Sequence, residues 1–132
     1  MAPERLIIVD DDSAIRWMLR SIAESEHADV VGEAENGRAA LDAAERLRPD
    51  VVLLDISMPV MDGFTAAREL SARFPEMRII FVSQNSDKNY VQEAFRCGAA
   101  GYVLKPAAAT ELGQAMAALR CGSQFRSPRI PA

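Results

Sequence analysis

Short apolar runs rich in Val, Ile and Leu alternate along the chain with longer segments of helical periodicity. The strongest runs lie at 6–9, 51–54, 79–82 and 102–104, with a weaker one at 30–31. Each run is too short for a helix, and its apolar residues are continuous rather than alternating with polar ones. This pattern is typical of strands that are buried on both faces, as in a parallel sheet.

The segments between these runs place apolar residues on one helix face. The first has five of them at positions i, i+3, i+4, i+7 and i+8: Ile15, Met18, Leu19, Ile22 and Ala23. Four weaker stripes of this kind follow later in the chain. Five strands alternating with five helices predict an α/β fold, a single (βα)5 unit with a parallel sheet. Because crossovers between parallel strands are right-handed, we expect helices on both faces of the sheet.

The length of the chain indicates one domain. Its 132 residues are enough to bury a proper hydrophobic core. We expect the domain to occupy residues 1–121. The stretch 122–132 contains Arg126, Arg129 and two prolines but no acidic residue, and we expect it to be a solvated tail or the start of a linker.

Charge and cysteine usage narrow the function classes. The net charge of −4 argues against broad nucleic-acid binding by this chain alone. No apolar run approaches the roughly 18 residues of a membrane span, so no membrane association is expected. Cys97 and Cys121 lack the spacing of a metal site or a CxxC motif. They are interpreted as reduced thiols, which favours a cytoplasmic location.

Polar residues follow four of the predicted strands at the point where each strand ends. They are Asp10 and Asp11 after the first, Asp55 after the third, Ser83 after the fourth and Lys105 after the fifth. The carboxyl ends of parallel strands meet at one edge of a sheet, and ligands bind at that edge. We therefore expect these side chains to lie together.

This set of side chains suits phosphoryl chemistry with Mg²⁺. Clustered carboxylates raise one another's pKa unless a cation is present, and carboxylates with a backbone carbonyl and waters are ligands that suit Mg²⁺. A lysine and a hydroxyl can contact the oxygens of a phosphoryl group. One carboxylate can then attack phosphorus and form an aspartyl-phosphate. The residues alone leave open which aspartate is the acceptor.

One family with such an aspartate is the haloacid-dehalogenase-type phosphatases. The stretch IIVDDD matches their apolar strand and D-x-D motif through Asp10 and Asp12. IIFVS and a later lysine would supply the second and third motifs. The fourth motif, an acidic pair after the lysine, has no counterpart, because Glu111 is the only acid beyond Lys105. The chain also has no room for a cap domain, so this phosphatase is kept only as an alternative.

A second family accounts for more of the sequence. Four stretches occur in order along the chain: LIIVDDDSAIR, PDVVLLDISMPVMDGF, IIFVSQ and GAAGYVLKP. In this order and spacing they resemble the receiver domain of two-component response regulators. GEAENGRAAL and CGAAGYVLK are most similar to receivers that precede a LuxR-type helix-turn-helix output domain, which implies a part in transcription regulation. The resemblance also implies a flavodoxin-like, doubly wound sheet of five strands in the order 2-1-3-4-5.

The resemblance implies a role for each acidic residue at the expected edge. Asp55 would be the phospho-acceptor. Asp10 and Asp11 would bind Mg²⁺ together with Asp55, and the backbone carbonyl of Ser57 would complete the protein's share of the ligands. Lys105 would pair with Asp55 and then with the phosphoryl group.

Three further residues acquire roles from the resemblance. Ser83 would hydrogen-bond a phosphoryl oxygen. Tyr102 matches the aromatic switch of the family, whose ring turns inward as Ser83 moves. Lys105-Pro106 matches a peptide bond that is usually cis in receivers, so Pro106 is counted among the modulating residues.

Three positions affect the expected rates rather than the mechanism. Gln84 stands where receivers usually have a small residue, and it would narrow access to the phosphoryl group. Ser57 and Asn85 occupy the two variable positions that flank the site and tend to set the lifetime of the phosphate. The short side chain of Ser57 would leave an attacking water less hindered.

The resulting hypothesis is a phosphorylation-dependent signalling switch. A sensor histidine kinase or a phosphotransfer protein would donate the phosphoryl group to Asp55, and the surface formed by the fourth helix, fifth strand and fifth helix would repack. The protein would catalyse only its own phosphorylation and dephosphorylation. It would form a homodimer on phosphorylation and contact DNA only through an output domain that this chain does not contain. The alternative within the family is a constitutive interaction module that does not require phosphorylation.

Overall fold

The computed structural model describes residues 3–131; residues 1, 2 and 132, which the predicted domain and tail include, lie outside this range. The strands are β1 (Arg5–Val9), β2 (Asp29–Ala34), β3 (Val51–Leu54), β4 (Arg78–Ser83), β5 (Gly101–Leu104) and β6 (Phe125–Arg126). The helices are α1 (Ser13–Ser25), α2 (Gly37–Leu47), α3 (Gly63–Arg73), α4 (Lys88–Arg96) and α5 (Ala108–Arg120), with a 3-10 turn at Lys105–Ala107. Among the described residues, no helix is both long enough and apolar enough to span a bilayer.

The strands form one parallel sheet in the order β2-β1-β3-β4-β5-β6. Successive side chains of a strand point to opposite faces, so β3 contributes side chains to two separate cores, one on each face of the sheet. Val52 and Leu54 pack into the core beneath α2, α3 and α4. Val51 and Leu53 pack into the core beneath α1 and α5. The predicted α/β fold, with helices on both faces and the order 2-1-3-4-5, is confirmed.

Four helices are capped at their N-terminus by a side chain. In each case the side chain of the residue before the helix accepts a hydrogen bond from a backbone N–H of the first turn: Asp12, Asn36, Asp62 and Asp87. The oxygen Oδ1 of Asp12 lies 2.8 Å from the nitrogen of Ala14. Such caps satisfy N–H groups that have no partner within the helix. The third aspartate of the DDD run therefore starts α1.

The sheet has six strands, so the expectation of five was wrong. The solvated tail predicted for 122–132 was wrong in its middle part, where Phe125 and Arg126 pair in parallel with β5. Beyond them, Ser127 and Ile130 are buried. A two-residue strand carries no periodicity of its own. It forms because β5 offers unpaired N–H and C=O groups along its outer edge.

Candidate functional site

The carboxyl ends of four strands bring the predicted site residues to one edge of the sheet. Asp10 follows β1, Asp55 follows β3, Ser83 ends β4 and Lys105 follows β5. These residues and Asp11 line one cleft. The N–H of Asp55 also donates to the last carbonyl of β1 at 2.9 Å. The buried strands therefore hold the site side chains in fixed relative positions.

Three carboxylates meet in this cleft. One carboxylate oxygen from each of Asp10, Asp11 and Asp55 lies within 4.8 Å of the corresponding oxygens of the other two. Asp10 and Asp55 are 1% and 6% exposed, whereas Asp11 is exposed. Carboxylates at such distances repel one another when ionised. The cluster therefore attracts a cation.

Lys105 brings one positive charge to the cluster. Its Nζ lies 2.9 Å from Oδ2 of Asp10 and 3.3 Å from Oδ1 of Asp55. Burial acts to lower the pKa of Lys105, but the two carboxylates outweigh that effect and the net pKa is raised. Among the described residues that line the cleft, one ammonium group stands against four aspartates, Asp10, Asp11, Asp12 and Asp55, so the cleft keeps a negative balance.

The pKa of Asp55 is raised above its ordinary value. Burial is the largest cause, and the charge of Asp10 adds to it. Lys105 and the N–H of Ile56, which donates to Oδ1 of Asp55 at 2.9 Å, act in the opposite direction. The ionised form of Asp55 is therefore costly in this structure. A second cation near it would reduce that cost.

The donor set fits a divalent cation of the Mg²⁺ type. The candidate ligands are oxygens, as Mg²⁺ prefers. Oδ2 of Asp10 is buried without a hydrogen bond among the described residues, and it pairs with the ammonium group of Lys105. Asp10, Asp11 and Asp55 could hold the ion. Ser57 lines the same cleft and could contribute its carbonyl.

Comparison with known proteins identifies the family. Residues 6–117 match the family model described as the response regulator receiver domain. The chain belongs to this family. The haloacid-dehalogenase-type phosphatase that the DDD run left open therefore loses its basis.

Similar proteins include a transcriptional regulatory protein, a chemotaxis protein and a response regulator of known structure. The receiver is 32% identical to the transcriptional regulatory protein DegU of Brevibacillus brevis, over 96% of this chain and 54% of that protein. It is 36% identical to the chemotaxis protein CheY of Listeria monocytogenes, over 85% of this chain and 94% of that protein. The structure of the RcsB response regulator of Salmonella typhimurium superposes on this one with a TM-score of 0.89 at 32% identity. The match covers 98% of this chain and 65% of the RcsB chain. The chain thus spans about half the length of a regulator such as DegU but nearly all of CheY.

Tyr102 of the receiver is already inward. Its side chain is 0% exposed, and its hydroxyl donates to the carbonyl of Asn85 at 2.7 Å. The N–H of Asn85 in turn donates to Oγ of Ser83 at 3.0 Å. Burial raises the pKa of Tyr102, so the phenol keeps its proton and remains a donor. Asn85 therefore links the ring of Tyr102 to the hydroxyl in the cleft.

Of the residues expected to modulate the rates of phosphorylation and dephosphorylation, some line the cleft and one lies beside it. Ser57, Gln84 and Asn85 line the cleft, and the first two are exposed. Pro106 lies outside the lining, in the 3-10 turn. Residues 3–131 contain no cis peptide bond, so Lys105-Pro106 is trans here. The effects of these residues on phosphate lifetime stay predictions.

Two lining residues were not anticipated from the sequence. Ile15 and Ser86 also border the cleft. Ile15 was assigned to the apolar stripe of α1, but it stands only three residues after the cap Asp12 and is half-buried. Ser86 lies three residues beyond Ser83 in the loop that leads to α4. Proximity to the end of β4 was the available signal for Ser86, whereas Ile15 lies within α1 and carried no such signal.

Replacing Asp55 with Asn should stabilise the metal-free receiver near neutral pH. The folded protein binds the Asp55 proton more tightly than the unfolded chain, whose pKa is 3.8. The stability of the wild type therefore falls as pH rises from that value through the raised pKa, and stays lower above it. In urea titrations we expect Asp55→Asn to show the larger free energy of unfolding at about pH 7, with the difference shrinking toward about pH 4.

Asp42→Asn is the matched control, because Asp42 is an exposed aspartate on α2 and lies outside the cleft. It should leave the unfolding free energy nearly unchanged over the same range of pH. A stabilisation by Asp55→Asn that grows as the pH falls would contradict the assignment.

Proposed function

We propose that this receiver is a phosphorylation switch whose acceptor is Asp55. The observation that carries the proposal is the position of the Asp55 carboxylate, which lies 3.3 Å from Nζ of Lys105 and within 4.8 Å of the carboxylates of Asp10 and Asp11. The phosphoryl group would come from a sensor histidine kinase or a phosphotransfer protein. Mg²⁺, held by the three aspartates and the Ser57 carbonyl, would neutralise charge on the phosphoryl oxygens.

The chain's own residues divide the chemistry among them. A carboxylate oxygen of Asp55 attacks phosphorus, the bond between phosphorus and the donor's imidazole nitrogen breaks, and the imidazole leaves with its electron pair. Lys105 lies 3.3 Å from Asp55 and can pair with an oxygen of the transferred group. The oxygen of Ser83 accepts a hydrogen bond from Asn85, which leaves its hydroxyl proton for a phosphoryl oxygen. Water later hydrolyses the acyl phosphate.

The signal would leave the site through Asn85 and Tyr102. A phosphoryl oxygen that binds the Ser83 hydroxyl stabilises the loop after β4, in which Asn85 accepts the hydrogen bond of the Tyr102 phenol. The surface formed by α4, β5 and α5 would change its packing with that loop. This is a local charge change that biases a two-state element.

The partners beyond the kinase are inferred from the family. Because the chain covers 54% of DegU and 65% of RcsB, we propose that a longer form carries an output domain. The structure of RcsB was described in terms of its interaction with DNA, and any contact of this protein with DNA would pass through such a domain. Homodimers would form on phosphorylation, in the cytoplasm.

The test is to incubate the protein with a small phosphodonor and Mg²⁺ and to measure its intact mass. We expect a phosphoryl increment on the wild type and on Asp42→Ala, and none on Asp55→Ala or without Mg²⁺. Asp42 is the matched control because it is an exposed aspartate outside the cleft. An increment that persists on Asp55→Ala would overturn the assignment of the acceptor.

One observation favours a second function, a constitutive interaction module. Tyr102 is already buried and hydrogen-bonded, which is the position the switch is expected to reach after phosphorylation. Measuring the molecular mass in solution with and without beryllofluoride separates the two functions. A change in oligomeric state supports the switch, and an identical state in both conditions supports the constitutive module.

A further inference from the structure

Residues 124–130, here named the strap, lie along the outer edge of β5. Arg126 of the strap pairs in parallel with Tyr102. The N–H of Ser127 donates to the carbonyl of Tyr102 at 2.9 Å. Without the strap, β5 would be the edge strand of the sheet. The strap therefore covers the strand that carries the aromatic residue of the switch.

A buried carboxylate fastens the strap to α5. Ser127 is 1% exposed and Glu111 is 3% exposed, and Oγ of Ser127 donates to Oε2 of Glu111 at 2.8 Å. The other oxygen of Glu111 accepts from the N–H of Leu104 at 3.4 Å. Buried carboxylates are retained only where donors satisfy them. Glu111 thus joins three elements, α5, β5 and the strap.

An apolar side chain fastens the end of the strap to the opposite core. Ile130 is 7% exposed and belongs to the same cluster of buried side chains as Tyr102 and Val91 of α4. The strap is therefore fixed at Ser127 on the α5 side and at Ile130 on the α4 side. Between these two points it crosses the edge of β5.

The position of the strap bears on how Tyr102 can move. The ring is fully buried although it stands on the strand next to the sheet edge. Its backbone is paired with Arg126, and its side chain shares a core with Ile130. An outward turn of the ring requires open space on this side of β5. The docked strap lies on this side, where it pairs with the backbone of Tyr102 and adds Ile130 to the same core.

We propose that the strap is a built-in latch, which holds Tyr102 inward while it is docked on β5 and lets the ring turn outward when it is released. A second part of the proposal, the coupling of the strap to the site, rests on the proposed phosphorylation of Asp55 and follows from thermodynamic linkage. If the phosphoryl group and the strap both favour the inward ring, each raises the affinity for the other by the same factor. Docking of the strap then raises the affinity of the site for the phosphoryl group.

The test compares variants of the full chain in which the strap loses its anchors. Ile130→Asp places a charge in the apolar anchor, and Ser127→Ala removes the donor to Glu111 while leaving the core intact. Backbone hydrogen exchange at 125–127 reports strap release. Hydroxyl-radical footprinting by mass spectrometry reports exposure of Tyr102, with Tyr90, which is 41% exposed, as the internal reference. We expect both signals to rise together in both variants and most in the double variant.

Gln124→Ala is the control, because Gln124 is an exposed residue of the strap; it should change neither signal. Retained far-ultraviolet circular dichroism and a cooperative thermal transition show that the variants are folded. If the strap of the double variant exchanges fast while Tyr102 stays protected, the latch is overturned. If the strap of the double variant stays protected from exchange, the assignment of Ser127 and Ile130 as its anchors is overturned.

The coupling to phosphorylation is measured separately, with beryllofluoride and Mg²⁺ in a calorimetric titration. We expect the Kd for beryllofluoride to rise about fivefold or more in the double variant, the lower end of usual coupling factors. An unchanged Kd despite an exposed Tyr102 would overturn the coupling but not the latch. A wild type that binds no beryllofluoride would count against the proposed phosphorylation, while the footprinting still tests the latch.

Discussion

Replacing Asp11 with Ala should abolish Mg²⁺ binding and, with it, modification by a phosphodonor, while the protein stays folded. Asp11 is exposed and contributes no core packing, yet its carboxylate lies within 4.8 Å of those of Asp10 and Asp55. Loss of groups that merely support metal ligands costs about 10- to 100-fold in affinity. A direct ligand should cost roughly 100-fold or more. Calorimetric Mg²⁺ titration measures the loss independently of phosphorylation.

Asp12→Ala is the matched control for Asp11→Ala, because it removes the neighbouring carboxylate of the same run. Asp12 caps α1 through the N–H of Ala14 at 2.8 Å, so its loss should cost about 1 kcal/mol of stability. Mg²⁺ affinity and the phosphoryl increment should remain close to those of the wild type. Equal losses of Mg²⁺ binding in both variants would mean that the run acts as one acidic cluster, which would contradict the division of roles proposed here.

Replacing Gly63 with Ala should destabilise the receiver by about 3 kcal/mol, the upper end of the usual cost of overpacking. Gly63 is the first residue of α3, and its N–H donates to the carbonyl of Ile56 at 2.7 Å. An added Cβ would overlap the backbone carbonyl of Asp55 and lie 2.8 Å from Cα of Ile56. Both obstacles are backbone atoms, which cannot rotate away. The loop that carries the acceptor must therefore shift.

Gly113→Ala is the corresponding control. Gly113 lies within α5, and the atoms nearest to a Cβ there belong to the carboxylate end of Glu26, an exposed side chain that can move aside. Exchange of Gly for Ala within a helix favours the helix by roughly 1 kcal/mol. Urea titrations should show near-neutral or improved stability for Gly113→Ala and a large loss for Gly63→Ala. The phosphoryl increment should fall in Gly63→Ala and stay unchanged in Gly113→Ala.

The sequence was informative about the site because its residues are placed by strand ends. A continuous apolar run predicts a buried parallel strand, and the first polar residue after it must emerge at the carboxyl edge. Asp10, Asp55, Ser83 and Lys105 are predicted in this way to lie together, and in the structure they line one cleft. The roles that the family resemblance attaches to them stay predictions until phosphorylation and Mg²⁺ binding are measured.

The sequence was uninformative where tertiary contacts alone determine the outcome. Phe125 and Arg126 form a strand because β5 has an open edge, and no local period marks so short a pairing. Nothing local to Glu111 marks it as buried, because its partner Ser127 stands 16 residues away. The inward ring of Tyr102 is likewise a matter of packing with α4 and the neighbouring loop. Such contacts join segments that only the folded chain brings together.

The short sixth strand also bears on how the protein behaves in concentrated solution. A sheet edge with free N–H and C=O groups can pair with strands of other chains, and short or charged edge strands oppose such pairing. β6 has two residues, exposes Arg126 and is soon followed by Pro128, which has no N–H to donate. Beneath it, β5 reads GYVL and is buried throughout. Undocking of β6 would uncover that apolar edge, and we expect the receiver to become more prone to aggregation and to strand exchange between molecules.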